Sequence, residues 1–129
     1  MSFTVKKEEQ YAIIHTETEK INSLNAPDLK TRLVFLIKSG FKNIIVDMAD
    51  TRYCDSSGLS ALLTGNRLSK EANGSFVLST LQPTVEKLVE ISQLQSVFDI
   101  VPTVDEAIDV VLMEEIERDL RAKAEDKKS

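Results

Sequence analysis

Apolar and polar positions follow two different rhythms along this chain. Ile44-Ile45-Val46 and Phe76-Val77-Leu78 are continuous apolar runs, the pattern of short strands covered on both faces, the first of them spanning about residues 43–48. Residues 3–6 and 11–16 read as two further strands with polar Lys7-Glu8-Glu9-Gln10 as the turn between them, so the chain opens with an antiparallel pair. Residues 96–101 supply a last strand at a sheet edge. Between strands the apolar spacing lengthens to three and four. Leu29, Leu33, Leu36 and Ile37 form one helical stripe; Leu59, Leu62 and Leu63 form another, with Gly65, Leu68 and Ala72 beside it. Val85, Leu88, Val89 and Ser92 lie along one side of a short helix, and Val104, Ala107, Ile108, Val111 and Leu112 point inward from the last. The order β-β-α-β-α-β-α-β-α predicts an α/β domain: a mixed, mainly parallel sheet of four or five strands with right-handed crossovers and about four helices.

The punctuation agrees with these elements. Asn25-Ala26-Pro27-Asp28 combines a capping amide, a first-turn proline and an acid favourable to the helix dipole. Ser39-Gly40-Phe41 ends that helix, with glycine as the left-handed cap and Phe41 packing back. Asp55-Ser56-Ser57-Gly58 stands where a strand gives way to a helix, and either Asp55 or Ser56 can supply the cap. Ala72-Asn73-Gly74 stops that helix, Pro83 opens the next, and Thr103 with Glu106 has capping-box spacing. Beyond Met113 the sequence is dominated by Glu, Asp, Lys and Arg without a sustained apolar stripe. We therefore divide the chain into a domain over residues 1–113 and an exposed, helical or disordered charged tail over 114–129.

Composition narrows the function. With 129 residues and 42% hydrophobic content the chain suits one domain with a core. A net charge of -5 and scattered lysines argue against nucleic acid as a partner. One cysteine, Cys54, has no partner for an internal disulfide and no metal-ligand spacing around it, which fits a reducing compartment. No run approaches the roughly 20 apolar residues that cross a bilayer, and residues 1–7 hold no apolar signal core, so the expectation is a soluble, cytoplasmic protein. The single histidine, His15, falls near a strand end with nothing nearby in sequence to orient it, and is read as a partly exposed strand residue without a role.

At the strand-to-helix turn, a serine nucleophile needs a base, and Asp-Ser-Ser-Gly is not the strained Gly-x-Ser-x-Gly elbow. Asp47, Asp50 and Asp55 invite comparison with the phospho-acceptor site of a receiver domain. That site needs an acidic pair after the first strand and a lysine after the last, where this chain has Thr16-Glu17 and Val101-Pro102. Neither catalysis nor a metal or cofactor is expected. A hydroxyl at the positive end of a helix, beside free N–H groups, is instead a place where an added phosphoryl group is tolerated.

The stretch from Ile44 through Asp47 to Asp55-Ser56-Ser57-Gly58-Leu59 resembles the signature of STAS domains, in particular the bacterial anti-sigma factor antagonists. Asn25-Ala26-Pro27-Asp28-Leu29, Pro83-Thr84-Val85-Glu86-Lys87-Leu88, Val97-Phe98-Asp99-Ile100 and Asp105-Glu106-Ala107 extend the resemblance over nearly the whole domain. It implies a phosphoprotein of transcription regulation rather than an enzyme. Ser56 is then the phosphoacceptor, with Ser57 as fallback, and the unphosphorylated form sequesters an anti-sigma factor that is also a serine kinase of the histidine-kinase-like ATPase type. A serine phosphatase reverses the modification. The partner surface implied comprises Asn22, Ser23, Asn25, Asp55, Ser56, Ser57, Gly58, Ser60 and Arg67. Three positions depart from the family pattern: Ser60 where glycine is frequent, Asn22 where many members carry aspartate, and Thr16 to Lys20 where a glycine precedes the loop. A different use of the same fold is a non-phosphorylated scaffold or subunit of a signalling assembly or lipid-transport complex, in which Ser56 is only a cap.

Overall fold

The computed structural model describes residues 2–128. Five strands, β1 (Phe3–Lys7), β2 (Ala12–Thr16), β4 (Ile44–Asp47), β6 (Phe76–Ser79) and β7 (Asp99–Val101), form one sheet in the order β1-β2-β4-β6-β7. The β1–β2 pair is antiparallel and every other pairing in that sheet is parallel, so this mixed sheet is as expected from the pattern. Four helices accompany it: α1 (Ala26–Lys38), α2 (Ser56–Glu71), α3 (Pro83–Ile91) and α4 (Val104–Lys128).

Strand alternation divides the interior in two. Ile14, Ile44, Val46, Phe76 and Leu78 face α1, α2 and α3 in the larger core, with Leu29, Leu33, Leu62, Val85 and Val89 packed on them. Ile13, Ile45 and Val77 point the other way, onto Ala107 and Val111 of α4. Because both faces are covered, the central strands need no polar alternation, which explains their continuous apolar runs.

Local chemistry sets the boundaries. Gly40, at φ +104°, ends α1, and Phe41 N–H donates to Leu36 O at 3.0 Å. At the end of α2 it is Asn73, at φ 61°, that takes the left-handed position. Gly74 is required for a different reason: a Cβ there runs into the Lys42 carbonyl. Gly65 lets α2 approach the core, since an added Cβ would lie 2.7 Å from the Phe76 ring and 3.0 Å from Leu33. Thr103 Oγ1 accepts from the Glu106 amide at 3.1 Å, as the capping-box spacing predicts.

Some expectations need correction. Asn25 stands at the α1 N-cap but makes no side-chain cap bond. Its amide is used in the loop, accepting from Asn22 N–H at 2.9 Å and donating to Lys20 O at 2.8 Å. The final strand begins at Asp99 rather than 96, because Val97 and Phe98 N–H groups bond back to Leu94 O and turn the chain. His15 is oriented after all: its Nδ1 lies 2.9 Å from Asp47 Oδ2 across the β2–β4 pair, a neighbour 32 positions away. Two strands of two residues, β3 (Lys20–Ile21) and β5 (Tyr53–Cys54), form a separate parallel ribbon that the pattern did not reveal. The charged stretch after Met113 continues α4 without a break to Lys128, and residues 1 and 129 lie outside the described residues.

Candidate functional site

The central turn lies past the carboxyl edge of the sheet. From Asp47 the chain passes through Thr51, whose buried hydroxyl donates toward Thr18 O at 2.8 Å or Thr16 O at 3.1 Å and lies 2.6 Å from Thr16 Oγ1. That anchor delivers Tyr53 and Cys54 to their pairing with Lys20 and Ile21. Asp55 N–H then donates to Ile21 O at 3.1 Å, so the start of α2 is pinned to the segment leading into α1. Gly58 sits tightly over this ribbon: a Cβ at that position collides with Cys54 Sγ and comes within 2.8 Å of Ile21 Cγ2.

Asp55 is the cap. Its backbone is extended, at φ -101° and ψ -173°, and Oδ1 accepts from Ser57 N–H at 2.9 Å and Gly58 N–H at 3.2 Å. The Ser57 hydroxyl donates to the same oxygen. That hydroxyl, more than the Gly58, Ser57 and Ser23 amides, holds the Asp55 carboxyl below the usual carboxylate range, against an opposing effect of desolvation. Asp55 is thus a fixed negative charge. Burial, and then the Asp55 charge, push the Cys54 thiol up to about 12, so it stays protonated and unreactive at neutral pH.

The two adjacent serines differ. Ser57 is half-buried and tied to Asp55, whereas Ser56, the first residue of α2, is exposed and its hydroxyl has no hydrogen-bond partner among the described residues. Asn22, Ser23 and Asn25 lie in the loop held against this turn, Asn22 Oδ1 accepting from Leu24 N–H at 2.9 Å. Ser60 is exposed one turn along from Ser56. Arg67 is set apart. It lies about 16 Å farther along the helix axis at 1.5 Å per residue, exposed and paired to Glu71 at 3.2 Å.

The structure adds residues that sequence reasoning passed over. A groove of about 530 Å³ opens beside the turn, with Lys20, Ile21, Tyr53 and Cys54 in its wall. Lys20 Nζ stands 5.8 Å from the centre of the half-exposed Tyr53 ring, and Leu24, 90% exposed, projects from the neighbouring loop. Leu24 and the Tyr53 ring are thus two large apolar side chains open to solvent at this end of the molecule. A two-residue strand is too short to show alternation, so only the isolated Leu24 in a polar loop could have signalled it. Asp47 and Asp55 are each engaged separately, Asp47 with His15 and the Ala49 N–H, Asp55 with the α2 cap. No group of three metal-ligating side chains converges among the described residues.

The STAS domain family matches residues 2–107. The chain belongs to that family. BtrV of Bordetella bronchiseptica, named as a candidate anti-sigma factor antagonist, is 30% identical over 80 residues, which cover 62% of this chain and 69% of BtrV. The structure of the anti-sigma factor antagonist SpoIIAA in its unphosphorylated form superposes with a TM-score of 0.73 at 22% identity, covering 84% of this chain and 95% of that one. The phosphorylated form of SpoIIAA, a Bacillus cell fate determinant, superposes with a TM-score of 0.67 at the same identity, covering 84% and 98%. These two likenesses establish the STAS fold, with its five-stranded, mostly parallel sheet and four helices. The family match ends within the first turn of α4, so most of that helix lies beyond it. Among the described residues, no helix of this STAS domain is long and apolar enough to cross a membrane.

Proposed function

We propose that this STAS domain is an anti-sigma factor antagonist whose Ser56 hydroxyl carries a removable charge. The observation behind the reading is the contrast within the turn: Ser56 is exposed and unpartnered at the first position of α2, while Ser57 beside it is held by Asp55. The unmodified face, with Leu24, the Tyr53–Lys20 pair and the α2 start, docks an anti-sigma factor that is also a serine kinase of the histidine-kinase-like ATPase type. That kinase transfers a phosphoryl group from ATP to Ser56 Oγ, the hydroxyl proton leaving to solvent or to a kinase base, and a serine phosphatase hydrolyses the ester. The chain itself performs no chemistry and works in the cytoplasm. Residues 1–113 carry the switch and residues 114–129 extend from it.

Electrostatics gives the mechanism. Phosphorylation adds about -1.5 to -2 charges at pH 7. Locally the helix N-terminus tolerates them. In the docked complex they must be desolvated next to the permanent charge of Asp55, and a difference of about 2.7 kcal/mol between the two forms separates their affinities roughly a hundredfold. The test is to incubate the protein with ATP and a serine kinase of this type from its own genome and locate phosphate by mass spectrometry. Phosphate is expected on Ser56 in the native chain and in Ser57→Ala, and absent in Ser56→Ala. Modification of Ser57 alone, or of neither serine, overturns the reading; the scaffold alternative predicts the latter, with binding that survives Ser56→Ala and fails on substitution of Arg67.

A further inference from the structure

The outer side of α4 is built differently from the Ser56 face. Ala107 and Val111 seat the helix on the sheet, and Arg118 fastens it farther on, donating to Ser75 Oγ and Asn43 Oδ1, both at 3.1 Å. On the opposite side Met113, Ile116 and Leu120 are 59%, 56% and 60% exposed. Their spacing of three and then four places them on one stripe over two turns, the geometry of a helix seam without its partner.

Met113 also forms the wall of a groove of about 470 Å³ between α4 and the edge strand β7. Asp99, Asp109, Glu114 and Glu117 line that groove and no basic side chain does. Glu114 Oε1 is buried without a hydrogen-bond partner among the described residues, an acceptor still lacking its donor. Among the described residues, Asp99 and Glu117 have only long, exposed ion pairs, at 3.8 Å to Lys70 and 3.8 Å to Arg121. The far end of the same helix carries Arg121, Lys123 and Lys127, with Glu125 and Asp126 among them, all exposed; Lys123 and Lys127 continue the stripe from Leu120 at spacings of three and four. One face of the helix therefore presents an acidic groove, an apolar stripe and, continuing the stripe, two lysines.

We propose that this face docks a second copy of the chain, the two α4 helices pairing antiparallel about a two-fold axis. The pairing is isologous: Ile116 of each copy packs against Leu120 of the other, and Lys123 and Lys127 of each helix lie over the acidic groove of its mate. A parallel arrangement would set acid against acid. With only two turns of apolar contact per copy, flanked by exposed charge pairs, the interface falls at the small, weakly associating end of the range. It leaves the Ser56 face open, because α4 covers the opposite side of the sheet from α2.

Sedimentation velocity on the full chain at low salt, over a rising concentration series, tests the proposal independently of Ser56. The expected result is a weight-average mass that climbs from monomer toward dimer. Leu120→Glu and Ile116→Glu should hold it at monomer with unchanged circular dichroism, since both side chains are exposed. Lys123→Glu with Lys127→Glu should likewise weaken association at least tenfold, and adding Asp109→Lys and Glu117→Lys to that pair should restore it. A native chain that stays monomeric throughout, or dimers indifferent to Leu120→Glu, overturns the proposal.

Discussion

The two faces of the sheet are covered by unequal means. On one, α1, α2 and α3 close a large apolar core around Phe76, Leu62 and Leu33, and glycines are needed where α2 approaches. On the other, α4 rests on Ile13, Ile45 and Val77 through a smaller cluster, Ala107 and Val111 buried with Val104, Ile108 and Val110 partly buried around them, and is then held by a polar cluster in which Arg118 reaches Glu115, Asn43 and Ser75. The difference teaches where precision is required. The crowded face fixes the start of α2, and with it the exposed Ser56, whereas the thin face leaves most of a 25-residue helix available for contacts elsewhere.

This contrast is sharpest in the response to mutation. Leu62→Ala, which removes a fully buried side chain from the crowded face, should destabilise the fold by about 2–5 kcal/mol in urea titration. Gly58→Ala should follow at about 1–3 kcal/mol, since the new methyl displaces Cys54 or Ile21, and it should also disturb the α2 start. On the thin face Arg118→Ala should lose only about 1 kcal/mol, because Asn43 Oδ1 keeps the Ser75 amide and Glu115 keeps Lys42 at 3.2 Å. An Arg118→Ala effect matching that of Leu62→Ala would erase the comparison.

Asp55 gives a smaller, pH-dependent effect. Its folded pKa lies below the unfolded value of about 3.9, so its stabilisation is complete above that value and disappears as pH falls through the depressed one. The gap in thermal midpoint between the native chain and Asp55→Ala should therefore be constant near neutrality and close in acid; a gap that widens on acidification contradicts the cap. Smallest of all is Ser56→Ala, expected within about 0.5 kcal/mol of the native chain because the hydroxyl supports nothing in the fold.

Much of this was legible because buried parallel strands and amphipathic helices imprint their periods directly. Ile44-Ile45-Val46 and the Leu29, Leu33, Leu36 stripe need no tertiary knowledge to be read. What escaped depends on distant neighbours. Lys20–Ile21 and Tyr53–Cys54 become strands only by meeting each other, and His15 is oriented by an aspartate on the next strand. Asn25 looked like a cap because local sequence cannot show that its amide is already engaged with Asn22 and Lys20. Within the turn, the family resemblance ranked Ser56 ahead of Ser57, but local sequence could not show that the Ser57 hydroxyl is engaged by Asp55.

The switch itself is tested most directly by titrating the partner kinase, with a nonhydrolysable ATP analogue bound, against the native chain, Ser56→Ala and Ser56→Glu by calorimetry. Equal affinities for the first two and a loss of at least tenfold for Ser56→Glu are predicted from the charge placed beside Asp55. Three equal affinities would show that the charge at this position does not decide who docks.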